Sequence, residues 1–273
     1  MRRIENIREI QQILLETLLY FQTFCQAHGL HFFLSNGTLL GAVKYQGFIP
    51  WDDDVDVFMP RTDYQRLMEL WEDDDSQYVL LASDRNPDWR LPFAKLSDQR
   101  TVIQETSADF GVPSGLAIDI FPLDAWRDGI TGARFQAYWC SLLRRGCSAS
   151  LEHSFQSPRS GVKRWILYLI WRSSQALGWQ WFRTQILAQT RKGTGIAQPS
   201  YMGSVAWSLY GKREIIPADV FKSTQSMTFE GNLFPVPSGY DRYLRSLYGD
   251  YHEDPPENQQ RSHHSIAVWW KDE

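Results

Sequence analysis

Cysteine is scarce in this chain of 273 residues: Cys25, Cys140 and Cys147 are an odd number with no C-x-x-C pair. That spacing argues against a disulfide framework and a cysteine-built zinc site, and a reducing compartment fits it best. Long apolar runs are missing as well. The longest, residues 165–171, has seven residues, against the ~20 that span a bilayer, so no transmembrane helix is expected. Met1-Arg2-Arg3 is followed by Glu5, Glu9 and Glu16 without a small-residue cleavage site, which does not read as a signal peptide. There is no low-complexity tract and no internal repeat. With 43% hydrophobic and 22% charged residues, the composition is that of an ordinary globular protein, between one large domain and two small ones at about 150 residues each.

What is present is unevenly spread. The net charge is −4, yet residues 127–192 hold 11 Lys and Arg against only Asp128 and Glu152, a segment charge of +9 that leaves −13 for the remainder. The same segment carries Trp139, Trp165, Trp171, Trp179 and Trp181. Large aromatics prefer interiors, so the first expectation is that they fill the core of a helical subdomain. The second is peripheral contact with an anionic surface, lipid or carrier, which a basic tryptophan-rich helix suits. Nucleic acid is not expected, because the whole chain is acidic and no nucleic-acid-binding motif is present.

Periodicity supplies the coarse structure. Apolar residues at Ile7, Ile10, Leu14, Leu18, Phe21 and Cys25 recur every three or four positions, predicting a helix over 4–27 that Gly29 ends. Residues 31–35 read as a short buried strand, Asn36-Gly37 as a turn, and Thr38 as the N-cap of a helix over 39–43. Strand, glycine turn and helix in succession aim backbone N–H groups at whatever sits above, an arrangement that suits phosphate. Acidic and apolar residues alternate over 54–59, the period of a strand, until Pro60 stops it. A helix is expected over 62–72, short strands over 78–82, 93–96 and 116–121 with Pro122 closing the last, and helices over 131–191. A strand at 227–229 and a helix at 240–247 follow. The result is a mixed α+β chain, divided as a core over 1–125, a basic Trp-rich helical insertion over 126–225, and a C-terminal part over 226–273 that completes the core.

The acidic run Asp52-Asp53-Asp54-Val55-Asp56 carries the chemistry. In an extended chain Asp52, Asp54 and Asp56 project to one face, and the flanking Phe48, Ile49, Trp51, Val57 and Phe58 argue for partial burial. Unpaired carboxylates are expensive there, and a divalent cation neutralises them. An EF-hand loop beginning at Asp52 requires Gly at its sixth place and Glu at its twelfth, where this chain has Val57 and Asp63, so that kind of calcium site is rejected. Oxygen ligands without a nearby histidine or cysteine favour Mg²⁺ or Mn²⁺ over zinc. Asp119, alone in the apolar run 115–124, adds a third ligand from a neighbouring strand, the arrangement that holds metal on a nucleotide phosphate. A solvated acidic loop and a satisfied buried Asp119 are the plainer alternatives.

The run Gly37-Thr38-Leu39-Leu40-Gly41, continuing through Gly47-Phe48-Ile49-Pro50-Trp51-Asp52-Asp53-Asp54-Val55-Asp56, closely resembles the signature of the LicD family. So do Met59-Pro60-Arg61-x-Asp63-Tyr64, the segment from Ile118 to Asp124, and the late Tyr248-Gly249-Asp250. The resemblance implies a nucleotidyltransferase-like mixed β-sheet flanked by helices. It also implies that Gly37 and Thr38 match the phosphate turn, that Asp54 and Asp56 match the metal pair, and that Asp119 matches the third acid, with Asp52 assisting. The chain departs at Asn36, where members often carry a second glycine, and at Lys44-Tyr45, where they carry Arg-His. Both departures bear on which group is transferred.

The expected chemistry is therefore Mg²⁺- or Mn²⁺-dependent transfer of a phosphocholine or similar phospho-alcohol from a CDP-linked donor, CDP-choline first, to a sugar hydroxyl of a surface glycan such as lipopolysaccharide, teichoic acid or capsule. Asp54, Asp56 and Asp119 are the catalytic candidates, with Asp119 as base. Lys44, Arg61 and Lys95 are candidate phosphate partners, each of them as readily a surface salt bridge. Nucleotidylyl transfer and a catalytically silent glycan- or nucleotide-binding relative are the alternatives. An aromatic cage for choline is easily built from twelve Trp and twelve Tyr but cannot be located in the sequence. His263 and His264 could meet a phosphate or a metal and more commonly would be solvated. A cytoplasmic place at the inner face of the membrane is expected.

Overall fold

The computed structural model describes residues 1–72, 77–105, 110–256, 260 and 266–271. In chain order the elements are β1 (Arg2–Ile4), α1 (Ile7–His28), β2 (Phe33–Leu34), α2 (Asn36–Tyr45), β3 (Asp56–Pro60), α3 (Arg61–Leu70), β4 (Tyr78–Leu81), β5 (Ala94–Asp98), β6 (Thr101–Glu105) and β7 (Ala117–Ala125). They continue with α4 (Ile130–Leu151), α5 (Gly161–Thr190), β8 (Tyr201–Gly203), β9 (Ile216–Pro217), β10 (Thr224–Phe229), β11 (Asn232–Pro237), α6 (Tyr240–Tyr248) and β12 (Ile266–Trp270).

Helix α1 forms where the apolar stripe predicts it. The Asn6 side chain caps it by accepting from the Arg8 N–H at 2.9 Å, and Gly29, at φ 61°, closes it in the left-handed conformation that glycine adopts without penalty. Its buried face carries Leu14, Leu18 and Phe21, all at 0% exposure, each contributing about 1.5–3 kcal/mol by leaving water. Ile4 does not join this helix; it belongs to β1, which pairs with β12.

The principal sheet runs β2-β3-β7-β5-β4, with β8 and β9 extending it from the end of β7. Strands β3 and β7 are parallel, and the other neighbours are antiparallel. Val57, Phe58 and Met59 of β3 are buried, as are Ile118 and Ile120 of β7, so β3 is buried on both faces beyond Asp56 and the acidic–apolar alternation read over 54–59 does not continue along it. Pro122 does not end β7. It lies where β5 pairing has stopped at Ile120 and β8 pairing has yet to begin at Asp124, so the missing N–H disturbs no ladder on that side. A second sheet, β1-β12-β6, joins the two ends of the chain, and β10-β11 form a hairpin. This is an α+β fold of the nucleotidyltransferase-like kind.

The helical region is two helices, α4 and α5, packed as a hairpin. They approach closely at Gly146, where an added Cβ would stand 2.2 Å from the Phe182 ring. Leu143, Cys147, Phe182 and Ile186 join the main core from this hairpin. The expectation that its tryptophans fill a core is corrected for Trp139, Trp165 and Trp181, which are exposed, while Trp179 is partly buried and packs against the main core. All three cysteines are free and buried. Among the described residues no helix is long and apolar enough to cross a membrane.

Candidate active site

The functional side chains gather at the end of the sheet where β3 and β7 begin. Parallel register sets Asp56 opposite Asp119, so two acids far apart in the chain become neighbours. Asp56 is held from three directions. Its N–H donates to the Thr38 hydroxyl at 2.8 Å, its carbonyl accepts from the Ser35 N–H at 3.0 Å, and the Asn36 side chain hydrogen-bonds its carboxyl. Thr38 is thus a buried anchor for β3. It is not the N-cap of α2, which begins two residues earlier with Ser35 at the cap.

The expectation of one extended strand through the acidic run also needs correction. Strand β3 starts only at Asp56, and residues 47–55 form a loop. Gln11 of α1 donates to the Asp52 carbonyl at 2.9 Å, and Glu230 accepts from the Phe48 N–H at 3.0 Å. Glycine is required at Gly41, where a Cβ would lie 2.4 Å from the Gly47 carbonyl, while one on Gly37 would meet only the movable Asp52 carboxyl at 2.9 Å. The loop therefore folds back over α2 and brings Asp52 beside Asp54 and Asp56 by its turn geometry.

These three acids and Gly37 face a cleft of about 860 Å³. Much of its remaining wall is aromatic, with Tyr45 and Trp51 from nearby in the sequence and Tyr210, Tyr248 and Tyr251 contributed from far along the chain. Lys44 lines it too, ion-paired to Asp254 at 2.5 Å, and the Tyr45 hydroxyl donates to the same carboxylate. Asp119 stands beside Asp56 and is paired with Lys95 at 2.8 Å. Arg61 is not brought to the cleft. It follows β3 at the other end of the strands and grips buried Asp124 through two bonds of 2.7 and 2.6 Å. His263 and His264 lie outside the described residues.

Crowded acids are costly. Burial, then the neighbouring Asp54 carboxylate, push Asp52 up to about 8. Burial, then Asp54 and Asp119, push Asp56 well above the usual carboxylate range. Oxygen donors that raise one another in this way fit a hard divalent cation. Among the described residues no three Asp, Glu, His or Cys side chains form a ready cage. Mg²⁺ asks for less than a cage: it takes one or two carboxylates and completes its shell with water and substrate phosphate.

Sequence reasoning marked Asn36 only as a turn residue and a departure from the family pattern, and missed its contact with Asp56 and Tyr243 behind it. Asn36 adopts φ 46°, and its Oδ1 accepts from the buried Tyr243 hydroxyl at 2.7 Å. With the carbonyl side of the amide so engaged, the NH₂ faces Asp56. Asparagine in the Asn36-Gly37 pair, a residue that tolerates positive φ, was the local signal available.

Comparison with known proteins agrees with this geometry. A domain family described as LicD/FKTN/FKRP, nucleotidyltransferase domain, matches residues 29–138, the stretch that holds every acid named for the metal and the base. Over 271 residues the chain is 32% identical to the lipopolysaccharide cholinephosphotransferase LicD of Haemophilus influenzae, covering 95% of this chain and 96% of that one. The chain belongs to the LicD family. It is accordingly a transferase of phosphorus-containing groups. Mannosyltransferase regulator 4 of Saccharomyces cerevisiae is 35% identical over 99 residues, 36% of this chain but only 8% of that far longer protein. For this LicD-family chain the second likeness is confined to a shared segment.

Proposed function

We propose that the protein transfers phosphocholine from a CDP-linked donor, CDP-choline, to a sugar hydroxyl of a lipopolysaccharide-type glycan, assisted by Mg²⁺ or Mn²⁺. The observation that carries this reading is that one cleft joins an acidic floor to an aromatic wall. The floor, Asp54 and Asp56 with Asp52 beside them, would hold the metal that neutralises a pyrophosphate. Bound there, the metal would supply charge stabilisation to the leaving phosphate. The wall, Tyr45, Trp51, Tyr210, Tyr248 and Tyr251, offers π faces to a quaternary ammonium. The name of the Haemophilus relative, a cholinephosphotransferase acting on lipopolysaccharide, supports the same pairing.

In the proposed step the acceptor hydroxyl oxygen bonds to the choline-bearing phosphorus, and the bond from that phosphorus to the bridging oxygen breaks. CMP leaves with the electron pair. The hydroxyl proton passes to a carboxylate, with Asp119 in position beside Asp56. Lys95 is paired with Asp119 at 2.8 Å, and the Asp52 carboxyl lies against Gly37. Lys44 and its Asp254 partner border the cleft on the aromatic side.

The test is incubation of the full chain with CDP-choline, Mg²⁺ and lipopolysaccharide lacking phosphocholine, following CMP release and the mass of the glycan. Gain of phosphocholine with stoichiometric CMP supports the proposal. Gain of a nucleoside monophosphate by the acceptor would replace it with nucleotidylyl transfer.

A further inference from the structure

The hairpin of α4 and α5 bears an apolar face that nothing among the described residues covers. Val162, Trp165 and Leu169 are 75%, 67% and 61% exposed, and Ile166, Ile170 and Leu177 accompany them. At roughly 100° per residue these six positions form one continuous stripe along the first half of α5. The opposite side of the helix is occupied, because Tyr168 and Trp171 pack on Phe155 with ring centroids 5.4 and 6.0 Å apart. The outward stripe is therefore a face in its own right. Gly178, at φ 76°, kinks the helix just beyond it, and the second half, carrying Phe182 and Ile186, turns back into the core.

Charge identifies the occupant. Neither α4 nor α5 contains a single Asp or Glu, in a protein whose net charge is −4. On the helical wheel Lys163 and Arg172 flank the stripe on its two sides, and Arg134 and Arg145 are exposed on α4. Arg164 belongs to the occupied side instead, its guanidinium over the Phe155 ring at 6.0 Å. An apolar stripe with tryptophan at its margin and a cationic rim is the pattern that lies in the interface of a bilayer rather than across it. A face that paired with a second copy of this chain would bring its like charges together.

We infer that the first half of α5 is an interfacial docking face for an anionic phospholipid bilayer. It seats Trp165, Ile166, Leu169 and Ile170 among the acyl chains, while Lys163 and Arg172, on the two flanks of the stripe, meet the headgroups. The inference does not depend on the reaction at the cleft, since vesicle binding is read without donor or acceptor.

The test uses the full-length chain and flotation with two vesicle types, phosphatidylcholine alone and phosphatidylcholine with about one-third phosphatidylglycerol. The wild type floats with the anionic vesicles, its tryptophan emission shifts to the blue, and added salt weakens the binding. Trp165→Ser/Leu169→Ser and Lys163→Glu/Arg172→Glu each lower the partition coefficient by about ten-fold or more, with melting temperature unchanged because these side chains are exposed. Failure of the wild type to float at low salt overturns the inference, as does equal binding to both vesicle types or wild-type binding by the variants. A lipid-free dimer in analytical ultracentrifugation that Trp165→Ser/Leu169→Ser dissolves would assign the face to a second copy instead.

Discussion

Replacing Tyr243 by phenylalanine tests how the far end of the chain governs the acidic floor. Tyr243 is 2% exposed, its hydroxyl donates to Asn36 Oδ1 at 2.7 Å, and it accepts from the Asn36 N–H at 3.3 Å. Removing one oxygen leaves both Asn36 groups without that partner where water cannot readily enter. A buried donor or acceptor so orphaned costs about 1–3 kcal/mol. Phenylalanine preserves the ring packing against Phe58 and Phe221, so no cavity beyond the oxygen is added. The expected loss is about 2 kcal/mol, which for a chain of this length lowers Tm by about 4 °C. A second effect follows, because Asn36 sits at φ 46°, a conformation held by these bonds, and its amide also serves Asp56. Once released, the amide no longer fixes that carboxyl, and kcat is expected to fall about ten-fold with KM for donor little changed. Calorimetry with steady-state CMP release reads both. Unchanged Tm and unchanged kcat would refute the positioning role given to Tyr243 and Asn36.

Asp56→Asn is expected to reduce transfer at least about a hundred-fold by removing a metal-holding carboxylate. Its Tm should equal or exceed that of the wild type, since a crowded buried acid is lost; a folded variant with wild-type turnover would contradict the assignment. Asp124→Ala strands the partly buried Arg61 guanidinium and should cost about 1.5–3 kcal/mol, measured by urea denaturation, with activity in the remaining folded fraction intact because Arg61 is remote from the cleft. Burial raises Glu214 from its ordinary 4.5 to about 8. The folded state therefore holds a proton that the unfolded state releases, and stability contributed by this group declines as pH rises from about 5 to 8. Glu214→Gln should remove that decline, so its Tm advantage over the wild type grows across the window; a difference independent of pH would sink the account. Trp51→Leu should raise KM for CDP-choline about 3- to 30-fold, matching the loss of a cation–π face, while leaving a donor without a quaternary ammonium little affected.

Much of the molecule was legible in residue order. The stripe from Ile7 to Cys25 specified α1, the alternation over 54–59 located β3 to within two residues, and the acidic run marked the residues that line the cleft. These features are local: a helix face or a strand records its period in a few neighbouring residues, and buried acids stand out against an apolar background. Folding decided everything that depends on which segments meet. Asp56 and Asp119 face each other because β3 and β7 pair in parallel register. Asp52 joins them through a loop clamped by Gln11 and Glu230, not through the alternation of a strand. Arg61, beside the acids in sequence, is carried along β3 to the far end of the strands and paired with Asp124. Tyr210, Tyr243, Tyr248 and Tyr251, some 150 to 200 positions from the acidic run, supply the wall and the hidden support, and no local period marks a contact across such a distance. The tryptophans of α5 show the same division. Their number and the positive charge around them were written in the sequence, but only the packing of Phe155 against Tyr168 and Trp171 decided which side of the first half of that helix turned inward and which was left exposed.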